Sequence, residues 1–331
     1  MQIQQSAVRS LVRRLIRLIS QAGFVAAAVG VITFLMVRAL PGDAAYRIAA
    51  GRYGYDLVDA AAASAVRREL GLDQPAWQQL GRWLLDLTQF RLGHSMVSGE
   101  SVWHELGHHL NHTLYLAGVA WALSIVIGVT LGTLAALRGG WTARWVDGIS
   151  TVFKATPAFL LALGLTTVVA VHLQWLPVAG HGQVQHVVLP ALCLALALSA
   201  GLAQVVQAQL GFILRSEYVE FALTKGLPLR AALWRHAARN LAVPVLAYAG
   251  VQLVLLVEGV VVVETMFAWP GVGHALVHAT FSRDVPMIQG AALAMGMLFV
   301  LLNALLDGLH SVIDPRLNSA QRAGKLRGET L

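Results

Sequence analysis

The sequence predicts an all-α polytopic membrane protein with six transmembrane helices, and three observations support this fold class. Hydrophobic residues make up 57% of the 331 residues and charged residues only 12%, about half the charged fraction of a typical soluble domain. Three stretches, 18–37, 113–137 and 285–306, contain no charged residue. Each is about as long as the roughly 20 apolar residues that a helix needs to cross a bilayer.

The apolar runs place the six spans along the chain. The first follows four arginines between positions 9 and 17 and is longer than the roughly 7–15 apolar residues of a secretory signal, so we expect it to stay uncleaved. The long apolar region after Lys154 is divided by the turn-forming segment QWLPVAGHGQVQH at 174–186. The predicted spans cover residues 18–38, 113–137, 155–173, 187–211, 241–263 and 287–309.

The distribution of lysine and arginine predicts that both termini are cytoplasmic. With the N-terminus inside, the inner segments hold 16 of the 24 basic residues, and the two short outer loops hold only Arg283. Cytoplasmic loops of membrane proteins are rich in lysine and arginine, so the net charge of +7 does not indicate a nucleic-acid partner. The predicted parts are the N-terminus with the first span (1–38), an extracytoplasmic helical loop (39–112), a five-span domain (113–314) and a cytoplasmic tail (315–331).

The extracytoplasmic loop carries two helix patterns. DLVDAAAASAVRREL, followed by Gly71, predicts a helix with a glycine C-cap. QPAWQQLGRWLLDL predicts a second, amphipathic helix. The single cysteine, Cys193, lies in an apolar stretch, which excludes a disulfide framework and a thiolate metal cluster.

The end of this loop contains the motif HExxH, as His104-Glu105-Leu106-Gly107-His108. On a helix this spacing places two imidazoles for zinc, with the glutamate as general base. A protease would need a third ligand, which His112 could supply, and a substrate cleft. Because Gly107 weakens the helix and no metzincin continuation follows, a membrane metalloprotease is the weakest of the functional hypotheses.

Histidine is concentrated on the predicted outer side. Ten of the twelve histidines fall there, and neutral imidazole is a good ligand for nickel, copper and zinc. His104, His108 and His112 are the candidate metal ligands. The alternative is that these histidines are polar interfacial residues without a metal, since no ligand set of definite geometry can be derived from the sequence.

The segment between spans four and five, RSEYVEFALTKGLPLRAALWRHAARNLAVP, predicts a helix–glycine–helix element. Ser216 can cap a helix that runs to Lys225, and Gly226 ends it because glycine adopts the left-handed conformation readily. Pro228 then opens a second, basic helix. Residues 215–240, here called the coupling segment, are therefore either a basic inner connector or a docking element for a cytoplasmic partner.

This segment resembles the coupling loop of ABC importer permeases. EFALTKG fits the family core through Glu220, Ala222 and Gly226, and EYV..A..KG......RHA.RN..VP is similar to the dipeptide, oligopeptide and nickel branch. Phe221 stands where the family usually has a small residue. Five further motifs occur in matching order along the chain: LGLDQP (70–75), RLGHS (91–95), QWLPVAGHG (174–182), ETMFAWPGVG (264–273) and DPRL (314–317).

The resemblance implies a bacterial inner-membrane permease subunit with six spans. It implies a second, homologous permease subunit, one or two cytoplasmic ATPase subunits that bind the ATP, and an extracytoplasmic substrate-binding protein. No cofactor is expected on this chain itself. The outer motifs look closer to nickel-type than to peptide-type permeases, so the cargo is nickel, a metal chelate or a short peptide. The residues implied in coupling are Glu217, Glu220, Ala222, Lys225, Gly226, Arg235 and His236.

Several polar residues lie within the predicted spans and are candidates for a translocation path. Glu258 in span five would cost about 3 kcal/mol if it faced lipid, so it should face a cavity or a partner helix or stay protonated. Gln204 and Gln207 share one face of span four, and Gln252 precedes Glu258 in span five. For the glutamines, the alternative role is hydrogen bonding between helices.

The source of energy must be another polypeptide if the chain is an ABC permease. The sequence contains no G-x-x-x-x-G-K-[ST] motif, so it cannot hold ATP phosphates by that route. A proton-coupled secondary carrier would also lack this motif and therefore remains a second hypothesis. The chain is expected to be a transport subunit and not an enzyme.

Overall fold

The computed structural model describes residues 2–54, 56, 58–70, 74–228, 231, 233 and 238–313. Side-chain positions are described from residue 16 onward, except at 239, 258, 307 and 309–313. Within these ranges every regular secondary-structure element is a helix, and the one β pairing is an isolated bridge between His94 and Ser101. The all-α fold class predicted from the sequence is confirmed.

The helices of the described residues follow one another with short connections. In chain order they are α1 (Gln2–Ala39), α2 (Ala44–Tyr53), α3 (Ala60–Glu69), α4 (Ala76–Thr88), α5 (Val102–Arg138), α6 (Gly140–Ala155), α7 (Ala158–Leu165), α8 (Val184–Leu214), α9 (Glu217–Thr224), α10 (Ala238–Met266), α11 (Val272–Ser282) and α12 (Val285–Ile313). A π-helical segment, Thr166–His172, continues α7.

Among the described residues, five helical stretches are long and apolar enough to cross a membrane. They are Ile16–Ala39, Val102–Arg138, Val184–Leu214, Asn240–Val257 and Val285–Leu306. They correspond to predicted spans one, two, four, five and six. The second is much longer than predicted, because α5 begins within the histidine-rich segment and not at Thr113.

The third predicted span, 155–173, is not a single straight helix. Its residues form α7 and the π-helical segment, and α6 precedes them at an angle of 108°. Pro157 immediately precedes α7, and the residue before a proline is disfavoured in the helical conformation. The described part of the chain therefore contains six candidate spans if α6, α7 and the π-helical segment together count as one broken span.

Contacts divide the chain into two compact units, and the first contains residues 1–114 and 268–301. Its main core joins side chains from α1, α5, α11, α12 and the 92–101 segment. The buried members of that core are Val37, Leu92, Val102, Leu106, Val272, Ala275, Ala279, Met287, Ile288, Ala291 and Leu293. A smaller cluster of Ile48, Ala49 and Val66 packs α2 against α3.

The second unit contains residues 115–267 and 302–331. Its central element is α8, which packs against α6, α7 and α10. Ala203 of α8 lies with Ala135 of α5 and Val146 of α6 in one buried cluster. Leu202 and Val206 of α8 pack against Val245 of α10 in another. The indole N–H of Trp121 donates to the carbonyl oxygen of Ala249 at 2.8 Å, which ties α5 to α10.

The two helices predicted between the first two spans are observed as α3 and α4. Asp59 caps α3, because its carboxylate accepts the Ala62 N–H at 2.7 Å. The predicted C-cap Gly71 and the motif DPRL lie outside the described residues. Three helices were not predicted, namely α2, α6 and α11. Each of these helices is too short, or has too many polar residues, for its apolar pattern to be recognised without its packing partners.

Candidate functional site

The first half of the coupling segment is a short helix that continues directly from α8. Val219 and Ala222 of α9 are buried, and Val219 packs against Leu210 and Ile213 in the last turns of α8. Ser216 occupies the N-cap position, as predicted, but its hydroxyl donates to the Ile213 carbonyl and makes no cap bond to α9. The Ser216 hydroxyl bonds to a carbonyl at the end of α8, because only two residues separate α8 from α9.

The end of α9 has the glycine cap that the sequence predicts. Gly226 has φ +81°, a left-handed conformation that glycine adopts without steric cost. The N–H of Leu227 donates to the Ala222 carbonyl at 3.2 Å, and the N–H of Gly226 donates to the Leu223 carbonyl at 2.9 Å. These two bonds define a Schellman motif. The last helical residue is Thr224, one position before the predicted end at Lys225.

The outward surface of α9 combines acidic and apolar side chains. Glu217 and Glu220 are exposed in the first turn, where carboxylates interact favourably with the helix dipole. Phe221 is 60% exposed, and the Lys225 ammonium lies 4.4 Å from its ring centroid. This arrangement brings together all the predicted coupling residues of α9 and its cap. Arg235 and His236 lie outside the described residues.

The connection into the next span is held by a side-chain hydrogen bond. Asn240 Nδ2 donates to the Tyr218 hydroxyl oxygen at 3.1 Å. Asn240 belongs to α10, so the bond links α9 to the beginning of a candidate membrane span. α9 is therefore in contact with both α8 and α10.

The glutamines predicted for a translocation path make contacts between helices. Gln204 accepts a hydrogen bond from Lys154 Nζ at 3.1 Å, and Gln207 Nε2 donates to Asp147 Oδ2 at 3.2 Å. Both partners belong to α6, which lies between predicted spans two and three. These contacts fit the alternative role of the two glutamines, hydrogen bonding between helices.

Gln252 is the most deeply buried of these glutamines, with 1% of its surface exposed. Its Nε2 donates to the Leu198 carbonyl at 2.6 Å, whereas its Oε1 is buried with no hydrogen-bond partner. The amide therefore ties α10 to α8 and retains one buried acceptor. Glu258 lies two turns further along α10, and its side chain is outside the described residues.

Two glycines that sequence reasoning missed allow α5 and α8 to approach closely. A Cβ at Gly132 would lie 2.4 Å from the Ala203 carbonyl oxygen and 2.6 Å from Val206 Cβ. A Cβ at Gly128 would lie 2.8 Å from Leu202 Cβ. The spacing is the small-xxx-small pattern of packed membrane helices, and it was readable in the sequence as GVTLG.

The HExxH motif lies in the first turns of α5 and is used structurally. The Glu105 carboxylate accepts a hydrogen bond from the Ser98 hydroxyl. The His108 and His112 rings are edge to face with centroids 4.8 Å apart, and the His112 ring contacts Trp269. No group of three or more His, Cys, Asp or Glu side chains among the described residues could hold a metal ion. His104, His108 and His112 are therefore not assembled into a protease-type zinc centre.

The FAWPGVG motif packs on the same part of α5. The Trp269 indole N–H donates to the His112 carbonyl at 3.0 Å, and the Val272 N–H donates to Thr113 Oγ1 at 2.9 Å. His109 Nδ1 lies 2.8 Å from the Pro270 carbonyl oxygen. This segment is thus attached to α5 by three side-chain hydrogen bonds.

Asp284 is the strongest polar anchor of the first unit and was not predicted from the sequence. It is 3% exposed, and its carboxylate accepts hydrogen bonds from the Ser95 hydroxyl and from the Met96 N–H at 3.0 Å. It also caps α12 by accepting the Met287 N–H at 3.3 Å. The neighbouring Arg283 guanidinium donates to the carbonyls of Pro41 and Gly42.

Replacement of Asp284 by alanine is expected to destabilise the protein by about 1–3 kcal/mol, because buried donors lose their acceptor. Thermal unfolding of the detergent-solubilised chain, followed by tryptophan fluorescence, measures the change. Asp284→Asn keeps one side-chain oxygen and should lose less. Equal melting temperatures for wild type and Asp284→Ala would contradict the anchoring role.

Comparison with known proteins extends the similarity beyond single motifs. A family profile described as "Binding-protein-dependent transport system inner membrane component" matches residues 128–319. A Brucella suis (biovar 1, strain 1330) protein named as a peptide transport system permease is 36% identical over 313 residues, covering 92% of this chain and 98% of the relative. The glutathione transport system permease protein GsiC of Pectobacterium atrosepticum is 36% identical over 286 residues, covering 86% and 92%. The GsiC protein of Escherichia coli O6:H1 is 35% identical over 291 residues, covering 87% and 92%.

Proposed function

Because the chain belongs to the family of binding-protein-dependent transport system inner membrane components, the permeases of ABC importers, we propose that it forms half of the path by which short peptides are imported. A second, homologous permease subunit supplies the other half. One or two ATPase subunits supply the energy, and a substrate-binding protein delivers the cargo. This assignment replaces both the metalloprotease and the proton-coupled carrier.

The observation that carries the proposal is the exposed surface of α9. An eight-residue helix is too short to be stable alone, and here Val219 and Ala222 hold it on the end of α8. Its remaining apolar side chains, Tyr218, Phe221 and Leu223, are exposed together with two carboxylates. A fixed helix with an aromatic and acidic surface suits a groove on a partner protein. We assign that groove to the ATPase.

The chain's basic residues support the orientation in which α9 faces the cytoplasm. In that orientation both termini and the coupling segment are inside, and the segments 39–112 and 264–286 are outside. ATP binds the partner subunit, since the sequence carries no phosphate-binding P-loop motif. ATP-driven closure of the partner would then displace α9, and with it α8 and α10.

The proposed cargo is inferred from the names of the relatives. Those described above are named for peptide and glutathione transport, which supports a short peptide and gives no support to nickel. The predicted nickel or metal-chelate cargo therefore stays an alternative, supported by the excess of histidine on the predicted outer side.

The function is tested by uptake into proteoliposomes that contain the complete complex. We expect uptake of a labelled dipeptide or glutathione to require ATP and to be reduced by excess unlabelled peptide, with little effect of a nickel chelate. Stronger competition by the nickel chelate would assign the metal cargo. Uptake by the chain alone, driven by a pH gradient without ATPase, would show a secondary carrier and contradict the proposal.

A further inference from the structure

A cleft of about 390 Å³ in the first unit is lined by three histidines. His109 comes from α5, and His274 and His278 come from α11. The carboxylates of Glu105 and Asp284 also line this histidine cleft, and serines complete its polar surface. None of these residues was among the predicted metal ligands, and the proposed coupling mechanism uses none of them.

His274 and His278 have the spacing and separation of a metal-binding pair. They lie four residues apart on one helix, which places both side chains on the same face. Their ring centroids are 4.4 Å apart. An imidazole nitrogen bound at about 2.0–2.1 Å places its ring centroid about 3.2 Å from the ion. Two imidazoles whose metal–nitrogen bonds are at 90° to each other therefore have centroids about 4.5 Å apart. The tetrahedral angle would separate the centroids by about 5.2 Å.

The third histidine of the cleft is fixed in one tautomer. His109 Nδ1 lies 2.8 Å from the Pro270 carbonyl oxygen, and a carbonyl oxygen can only accept. A proton must therefore be on Nδ1, and this bond fixes the His109 ring. His109 is not one of the two ligands proposed below, and it lies beside them in the lining of the cleft.

We propose that His274 and His278 bind one divalent transition-metal ion, copper(II) or nickel(II), in the histidine cleft. These ions favour square-planar or tetragonal geometry, in which neighbouring ligands are 90° apart, and the centroid separation of 4.4 Å is compatible with that angle. Because no described group of three or more such side chains could hold an ion, the protein supplies two ligands. Water or a small ligand in the cleft fills the other coordination positions. The proposal concerns the purified chain and does not depend on the proposed cargo.

The lining of the cleft around the pair is partly acidic. The two carboxylates of the cleft, Glu105 and Asp284, add negative charge that favours a cation.

A second pair on α5 offers a matched control. His108 and His112 have the same spacing, with centroids 4.8 Å apart. They do not line the cleft, and the His112 ring is packed against Trp269. If the i, i+4 spacing alone were sufficient for binding, either pair would bind the metal. If the cleft is required, only His274 and His278 bind it.

The test is titration of the full chain with copper(II) and nickel(II) in detergent, after purification through a tag without histidine. We expect one copper(II) per chain, with an electron paramagnetic resonance spectrum that shows two nitrogen ligands. His278→Ala should raise the Kd at least about tenfold, since even outer-shell changes cost 10–100-fold. His108→Ala should leave the Kd unchanged.

A composition-preserving variant separates coordination from folding. Thr280→His combined with His278→Thr keeps two histidines in α11 but moves the second one to exposed position 280, which does not share a face with His274, and should weaken binding as much as His278→Ala. Thermal unfolding without metal should match wild type for these variants. Copper(II) binding unchanged in both α11 variants, or lost in His108→Ala, would overturn the proposal.

Discussion

Replacement of Gly226 by proline is expected to abolish transport while the protein still inserts in the membrane. Gly226 has φ +81° and donates its N–H to the Leu223 carbonyl. Proline fixes φ near −65° and has no N–H. The substitution should therefore destabilise the native conformation of this turn by about 3 kcal/mol or more. The Schellman motif would be lost, and the orientation of Phe221 and Lys225 with it. We expect ATP-dependent uptake to fall at least tenfold, a loss of about 1.4 kcal/mol or more in coupling.

The matched variant for this position is Gly226→Asn, because asparagine tolerates the left-handed conformation best after glycine. Space is available, since a Cβ at Gly226 would meet nothing within 4 Å. Uptake and ATP hydrolysis should be measured together in proteoliposomes. Hydrolysis that continues without uptake in Gly226→Pro shows uncoupling. Wild-type uptake by Gly226→Pro would refute the role of α9 in coupling.

Replacement of Gly132 by alanine is expected to destabilise the helix packing of the second unit. The added Cβ would lie 2.4 Å from the Ala203 carbonyl oxygen, and because that atom belongs to the backbone, α5 and α8 must move apart. Overpacking of this kind costs about 1–3 kcal/mol. Thermal unfolding in detergent measures the loss as a lower melting temperature.

Gly118→Ala is the control on the same helix. A Cβ there would meet nothing within 4 Å, and alanine is a better helix former than glycine by about 1 kcal/mol. The melting temperature should therefore stay the same or rise. If Gly132→Ala and Gly118→Ala had the same melting temperature, the close approach of α5 and α8 at Gly132 would have no energetic importance.

The elements that could be predicted from the sequence are those whose signal is local. Apolar runs identify the five helices of the described residues that could each cross a membrane, because a bilayer requires an apolar stretch of a certain length whatever the tertiary structure. The glycine at position 226 identifies the end of α9, because only a few residue types adopt that conformation cheaply. Both signals are independent of the packing partner.

The features that were not predicted are those whose sequence signal depends on contacts with residues elsewhere in the chain. No helix was predicted for the residues of α6, whose Asp147 and Lys154 bond with Gln207 and Gln204 in the fold. Asp284 carried no pattern of its own, since its partners Ser95 and Met96 are distant in sequence. The spacing of His274 and His278 was readable, whereas the cleft that distinguishes this pair from His108 and His112 was not.

The bend between α6 and α7 also affects how the protein fits a bilayer. α7 and the π-helical segment contain 8 and 7 residues, which at helical rise reach about 22 Å, against about 30 Å of hydrocarbon. The lipid around this segment must thin, or the apolar side of α6 must enter the hydrocarbon to supply the missing depth. Hydrophobic mismatch of this size costs fractions of a kcal/mol per Å. The angle of this bend is therefore expected to depend on the thickness of the surrounding membrane.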